Sequence, residues 1–398
     1  MKNPAPAEIP ALRARARAVA ARLPALCRGP DGRLTDGSLA AVGACARHIL
    51  KGNRAVGASL VLALPGGASH ALCFGRARLS PKTPVTSDTC FRVASVSKLV
   101  MSFGALSLAE DGLLDLDADI SGLLGYRVRS PHAPDVPVTM RMLLTHTAGL
   151  DDGGPYADAL RRGSSLRELL ASPASWRPAV PGASFSYSNF GAGAAGVVME
   201  RAAGRPFDDV MRARVFDPLA IRASYDPRRI VPAGDLADGY GVRGFLPPRL
   251  KYDAAALAAR APEPFDPEHD YFIAAGRLIT DSAGMERLIR LLASHGEMGV
   301  LSGASLRQLR SAQDGAPGIG VCGRGLNCAL LPDVFEGFSA VGHQGVAYGM
   351  CAELFADPAR GCGVGVMTSG VRLVRRGPLM RVGLDLLALG FGALARLD

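Results

Sequence analysis

Ser95-Val96-Ser97-Lys98 places a hydroxyl and an amine three residues apart. On a helix that spacing is nearly one turn, so both side chains share a face. A serine hydroxyl attacks carbonyl carbon only when a base takes its proton. A lysine can assist if burial or nearby positive charge lowers its pKa from about 10.4. At a helix start, Ser95 would also sit among backbone N–H groups aimed at developing negative charge. The tetrapeptide alone reads equally well as an N-capping serine followed by an exposed lysine.

Two further groupings lie downstream. Tyr187-Ser188-Asn189 follows the turn Pro181-Gly182 and precedes a glycine-rich run from Gly191. A tyrosine beside a cation can shuttle a proton, and an amide can hold a substrate carbonyl and orient the lysine. His343-Gln344-Gly345 follows Phe338. A glycine there lets substrate lie against a strand edge, and the next N–H, at Val346, can serve as an oxyanion donor.

These groups need elements to hold them. Ala55 to Leu64, Pro65-Gly66-Gly67 and Ala68 to Phe74 read as a β-hairpin with a glycine turn. Helical spacing runs from Ser97 to Glu110, with Gly112 as a stop. Helical patterns recur at Met140 to Leu144, Leu166 to Leu170, Gly191 to Ala203 and Phe207 to Val215. Ser282 to Leu292 is a further helix; Ala340 to Val341, Met350 to Phe355 and Gly363 to Met367 are short strands; Pro378 to Ala393 is a closing helix. Ala11 to Leu23, punctuated by arginines, reads as a helix ending before Pro24. Between 216 and 272 prolines are dense (Pro218, Pro227, Pro232, Pro247, Pro248, Pro262, Pro264, Pro267) and no period holds. Such a stretch is expected to roof a pocket.

Strands at both ends with helices between predict an α+β fold, an antiparallel sheet flanked by helices with an inserted, mainly helical domain. Residues 1–50 are expected as a peripheral helical region, 51–105 and 265–398 as the sheet domain, and 106–264 as the insertion carrying an active-site loop.

The chain has 398 residues, 48% of them hydrophobic and 20% charged, which excludes wholesale disorder. Its net charge of +9 comes almost entirely from scattered arginines, with only Lys2, Lys51, Lys82, Lys98 and Lys251 as lysines. Nucleic-acid binders cluster their charge and interleave aromatics, and aromatics here are 6%, so no nucleic-acid partner is expected. Cys27, Cys45, Cys73, Cys90, Cys322, Cys328, Cys351 and Cys362 form no CxxC pair and no metal-ligand spacing. They read as reduced thiols, with no metal and no cofactor. No uninterrupted apolar h-region and no spanning run is present, which predicts a cytoplasmic protein with no membrane partner.

S-x-x-K, Y-x-N and H-x-G in that order resemble the class C β-lactamase and penicillin-binding-protein-like serine hydrolases. The segments Gly112 to Asp117, Leu143 to Leu150, Phe216 to Leu219 and Ala275 to Thr280 look like that family's framework, and the likeness runs from about residue 50 to about 390. The resemblance implies Ser95 as the acylated nucleophile, Lys98 as its proton partner and Tyr187 as general base and acid. It implies Asn189 as a substrate-orienting group and the Ser95 and Val346 N–H groups as the oxyanion hole. His343 and Gly345 would line the strand side, and His146 would be a packed helix-end histidine. His343 replaces the family's lysine, so the cation that would hold a β-lactam carboxylate is missing or pH-dependent. No acidic deacylation base of the class A kind is evident, so water activation falls to Tyr187. The expected activity is that of an esterase, amidase or acyltransferase on a small-molecule acyl substrate. An amine or alcohol acceptor fits the second option, and the positive charge leaves room for an acidic acyl-carrier donor. β-Lactamase or D-amino-acid peptidase activity and a non-catalytic binding protein are the rivals.

Overall fold

The computed structural model describes residues 8–261, 266–313 and 323–397. Cys322, Pro262 and Pro264 lie outside the described residues.

The predicted hairpin forms from β1 (Gly57–Ala63) and β2 (Ser69–Arg78), antiparallel, with Ala63 opposite Ser69 across the glycine turn. With β3 (Thr83–Pro84), β4 (Ala329–Phe335), β5 (Phe338–Ala347), β6 (Met350–Asp357) and β7 (Cys362–Thr368) they build one antiparallel sheet in the order β3-β2-β1-β7-β6-β5-β4. β1 reads as an unbroken apolar run because helices cover both faces: Val61 joins one core, Leu60 and Leu62 the other. β4 left no strand pattern in the sequence because Pro332 cannot donate to a ladder, and its place at the sheet edge explains why proline is tolerated there.

One face of the sheet is packed by α1 (Glu8–Ala20), α2 (Asp36–Gly52) and the closing α6 (Arg381–Leu394). The expectation that residues 1–50 are peripheral needs correction. Ile9, Leu12, Ala16 and Val19 recur at helical spacing and are buried in that core, and Arg15 makes a two-pronged ion pair to Asp385 of α6 at 2.6 Å. The arginines between the apolar positions hide this stripe from a composition-level reading.

The other face carries α3 (Val96–Glu110), α4 (Asn189–Ala203) and α5 (Ser282–Ala293) with the shorter helices between them. α3 is buried from Val96 to Leu108, too apolar all round for a surface helix. The proline-dense segment is less irregular than expected. It holds the strands Ala223–Ser224, Gly239–Gly241 and Arg249–Tyr252, the last two paired as a hairpin, and the short helix Ala254–Ala258. Among the described residues, no helix is long and apolar enough to cross a membrane.

Candidate active site

The strand Phe91–Arg92 pairs with Ile279–Thr280, and the chain must then turn sharply to enter α3. Ala94 makes that turn at φ +48°, a left-handed conformation that costs an L residue about 1–2 kcal/mol. Ser97 holds it, its hydroxyl accepting from Leu278 N at 3.0 Å and donating to the Ala94 carbonyl. Ser95 emerges as the residue before the helix. Val96, Ser97 and Lys98 turn their N–H groups back to Val93, Ala94 and Ser95, and none of these turn bonds uses the Ser95 N–H.

Lys98 is fully buried, one turn on, as the S-x-x-K spacing requires. Its Nζ donates to Ser95 Oγ at 3.2 Å, to Asn189 Oδ1 at 2.9 Å and to the Ala275 carbonyl. An ammonium has three N–H donors and no lone pair, so all three are satisfied at once.

Asn189 begins α4, capped by Ser188, whose Oγ accepts from Gly191 N at 2.8 Å. Asp152, which the sequence reading passed over, fixes this corner. One carboxylate oxygen accepts from Ser188 Oγ at 2.9 Å and Phe190 N at 3.0 Å. The other accepts from Asn189 N at 2.8 Å and Asn189 Nδ2 at 2.7 Å. Because Nδ2 is held by the carboxylate, the amide presents Oδ1 to Lys98. The only signal was an acidic pair, Asp151-Asp152, in a loop; its partner is a helix start more than thirty residues on, at the terminus where a negative charge is favoured.

Tyr187 packs its ring 5.1 Å from Lys98 Nζ and 4.5 Å from the His146 ring. His146, buried at φ +58°, accepts from Ser188 N at 3.3 Å through Nδ1 and so backs the tyrosine. Burial, then the charge of Lys98, holds its pKa well below the ordinary 6.5, so it stays neutral. That matches a supporting rather than a proton-transferring position.

β5 closes the other wall. A Cβ on Gly345 would lie 2.0 Å from the Val93 carbonyl and 2.9 Å from Ser95 N, so only glycine lets the strand approach the nucleophile. Val346 lies opposite Cys351 of β6, and both backbone polar groups of Cys351 bond Thr368 on the far side. In an antiparallel ladder both members of such a pair point away from each other. The Val346 N–H is therefore directed outward from β6, on the side where pairing with β4 has ended at Gly342.

His343 is 1% exposed, with its ring 6.3 Å from that of Tyr187. Nδ1 lies 2.6 Å from the Gln344 carbonyl, which can only accept, so Nε2 of the neutral ring offers a lone pair. Burial and Lys98 push its pKa well below 6.5. Of the two alternatives in the sequence, the structure supports a missing cation over a pH-dependent one. On the opposite face of β5, Gln344 donates to Glu353 of β6 and accepts from Met380 N at 3.2 Å.

The structure thus brings Ser95, Lys98, Tyr187, Asn189, His343, Gly345 and Val346 to one place, and adds Asp152 and the Ala275 carbonyl. A family model described as Beta-lactamase matches residues 42–388. Esterase EstB of Burkholderia gladioli is 32% identical over 208 residues, 47% of this chain and 52% of that protein. Penicillin-binding protein 4 of Amycolatopsis lactamdurans is 26% identical over 326 residues, 79% of this chain and 81% of its own. The chain spans about half the length of EstB and 41% of the Lovastatin esterase of Penicillium rubens, to which it is 34% identical over 167 residues covering 36% of this chain. Among solved structures, the one described as "EstCE1, a hydrolase with promiscuous acyltransferase activity" superposes with a TM-score of 0.72 at 24% identity, covering 89% of this chain and 99% of that one.

Proposed function

The chain belongs to the β-lactamase family, and from that premise we propose that it cleaves carboxylic esters through a covalent acyl-Ser95 intermediate. Ser95 Oγ bonds to the carbonyl carbon while its proton passes to the ionised oxygen of Tyr187, whose negative charge the Lys98 ammonium beside it offsets. The Ser95 and Val346 N–H groups receive the oxyanion, a contact that strengthens as charge develops. Collapse breaks the bond to the leaving oxygen, which takes its proton from Tyr187. The second half runs in reverse: Tyr187 takes a proton from water, or from an alcohol or amine, and that nucleophile releases the acyl group. Water gives hydrolysis and an organic acceptor gives transfer, so the acceptor alone separates esterase from acyltransferase.

The observation that carries the reading is the single Lys98 ammonium touching both Ser95 Oγ and Asn189 Oδ1. An ester with no carboxylate on its leaving group fits better than a β-lactam or a D-amino-acid peptide, because neutral His343 offers no charge for a carboxylate there. The test is turnover of 4-nitrophenyl butyrate with and without added amine. Nitrophenol release that Ser95→Ala abolishes supports the reading, and butyryl amide in the products adds transfer. A Ser95→Ala variant as active as the parent, or nitrocefin cleaved faster than the ester, overturns it.

A further inference from the structure

Along β5, Ser95 N faces Gly345; two residues back is His343 with Tyr187, and three residues on is Tyr348. The first step is roughly 7 Å at strand spacing, and the second, which passes the strand end at Ala347, is at most about 10 Å. The two sides differ in chemistry. On the Tyr348 side, Arg92 lies with its Cζ 4.7 Å from the Tyr348 ring and 5.4 Å from the Tyr252 ring. The two rings are 6.1 Å apart, and Tyr252 comes from the hairpin of the proline-dense segment. Arg92 Nε donates to the Gly276 carbonyl at 2.7 Å. A Cβ on Gly276 would lie 3.6 Å from the Ala94 carbonyl carbon and 3.7 Å from an Arg92 Nη, which ties the guanidinium to the peptide that leads into Ser95. Arg277, the next residue, is exposed, and its charge acts on both Arg92 and Tyr252.

Neither arginine has a carboxylate within ion-pairing distance among the described residues. Arg129, Arg141 and Arg222, part-buried like Arg92, pair with Asp119, with Asp117, and with both Asp235 and Asp281. A guanidinium withdrawn from water without an anion is costly, and burial pushes Arg92 below the usual arginine range. Tyr348 adds backbone strain at φ +52° while remaining 52% exposed, so its ring is held at the rim rather than packed away.

We propose that Arg92 and Arg277, walled by Tyr252 and Tyr348, form a subsite for a carboxylate on the acyl part of the substrate. The proposal rests on the reading of Ser95 as the acylated nucleophile. Since the leaving group must face Tyr187 to be protonated, the acyl chain runs the opposite way, toward the arginines. The spacing suits an acyl chain of a few methylenes ending in the anion, as in a dicarboxylic acid monoester. Charge-assisted contacts to a guanidinium are short and directional, and stronger when partly desolvated.

Two measurements test it. The first compares kcat/KM for mono-4-nitrophenyl glutarate with that for its uncharged analogue 4-nitrophenyl pentanoate. A preference for the glutarate ester of about tenfold or more, collapsing toward unity in Arg277→Gln, supports the subsite; each tenfold step is about 1.4 kcal/mol. No preference, or one that Arg277→Gln leaves intact, overturns it. The second uses Ser95→Ala, which cannot turn over, and reads binding of monomethyl glutarate and methyl pentanoate by calorimetry. Tighter binding of the glutarate that is lost in Ser95→Ala/Arg277→Gln supports the subsite; equal binding of the two esters overturns it. If the parent hydrolyses neither nitrophenyl ester, the esterase reading fails and the binding comparison still decides the subsite.

Discussion

Lys98 shows why one side chain can organise a site: its three donors tie the nucleophile, the amide of Asn189 and the backbone at Ala275 into one unit. Asp152 sets the amide that receives one of them. Replacing it with alanine leaves Ser188 Oγ, two backbone N–H groups and the Asn189 amide without their acceptor, each costing about 1–3 kcal/mol if buried and unmet. Asp152→Ala is therefore expected to lower kcat by about 100-fold, the scale of a misplaced catalytic group, with a smaller change in KM. Steady-state kinetics on the butyrate ester would check this, and an unchanged kcat would remove Asp152 from the positioning machinery. Ser95, Lys98, Tyr187, Asn189 and His343 were legible because each sits in a short local pattern. Asp152 and Arg92 were not, because their partners are chosen by how distant segments dock.

At the scale of elements, the site is where the start of α3, the start of α4 and the edge of β5 meet. Periodicity revealed the helices and the hairpin, since a 3.6 or 2 period survives any docking. It concealed β4, where Pro332 breaks the strand signal, and the role of α1, whose apolar stripe is interleaved with arginines. The approach of β5 to α3 depends on one missing Cβ. Gly345→Ala would drive the strand from the Val93 carbonyl and take the Val346 N–H out of range of the oxyanion. Loss of one oxyanion donor lowers kcat by about 100- to 1,000-fold. Far-ultraviolet circular dichroism should stay near the parent's, separating a local shift from unfolding. Retention of full activity would mean that Val346 is not a donor.

At the scale of the whole molecule, the fold buries titratable groups that link stability to pH. Glu353, fully buried on β6 beneath α6, accepts from Gln344 and from the Cys351 thiol, and burial pushes it up to about 8. Glu200 is raised to about 7 by the same cause. Between the ordinary carboxyl value of 4.5 and these raised values, the folded protein holds protons that the unfolded chain has released. Stability therefore falls as pH rises through that window, by up to about 1.4 kcal/mol per pH unit for each group. His146 and His343 act oppositely, but only below 6.5, where the unfolded chain protonates and the buried rings do not. Between pH 7 and 8 the slope belongs chiefly to Glu353. Thermal melts should show Tm falling across that interval more steeply in the parent than in Glu353→Gln; parallel curves would contradict a neutral, buried Glu353.

The central claim is that an acyl group resides on Ser95 during turnover. Intact-mass and peptide mapping after brief exposure to a fluorophosphonate tests whether Ser95 is the nucleophile that such an intermediate requires. The account predicts one adduct, on the peptide carrying Ser95, whose formation is slowed by the butyrate ester and abolished in Ser95→Ala. Labelling on another serine, or an unlabelled protein under conditions that modify a known serine esterase, would contradict it.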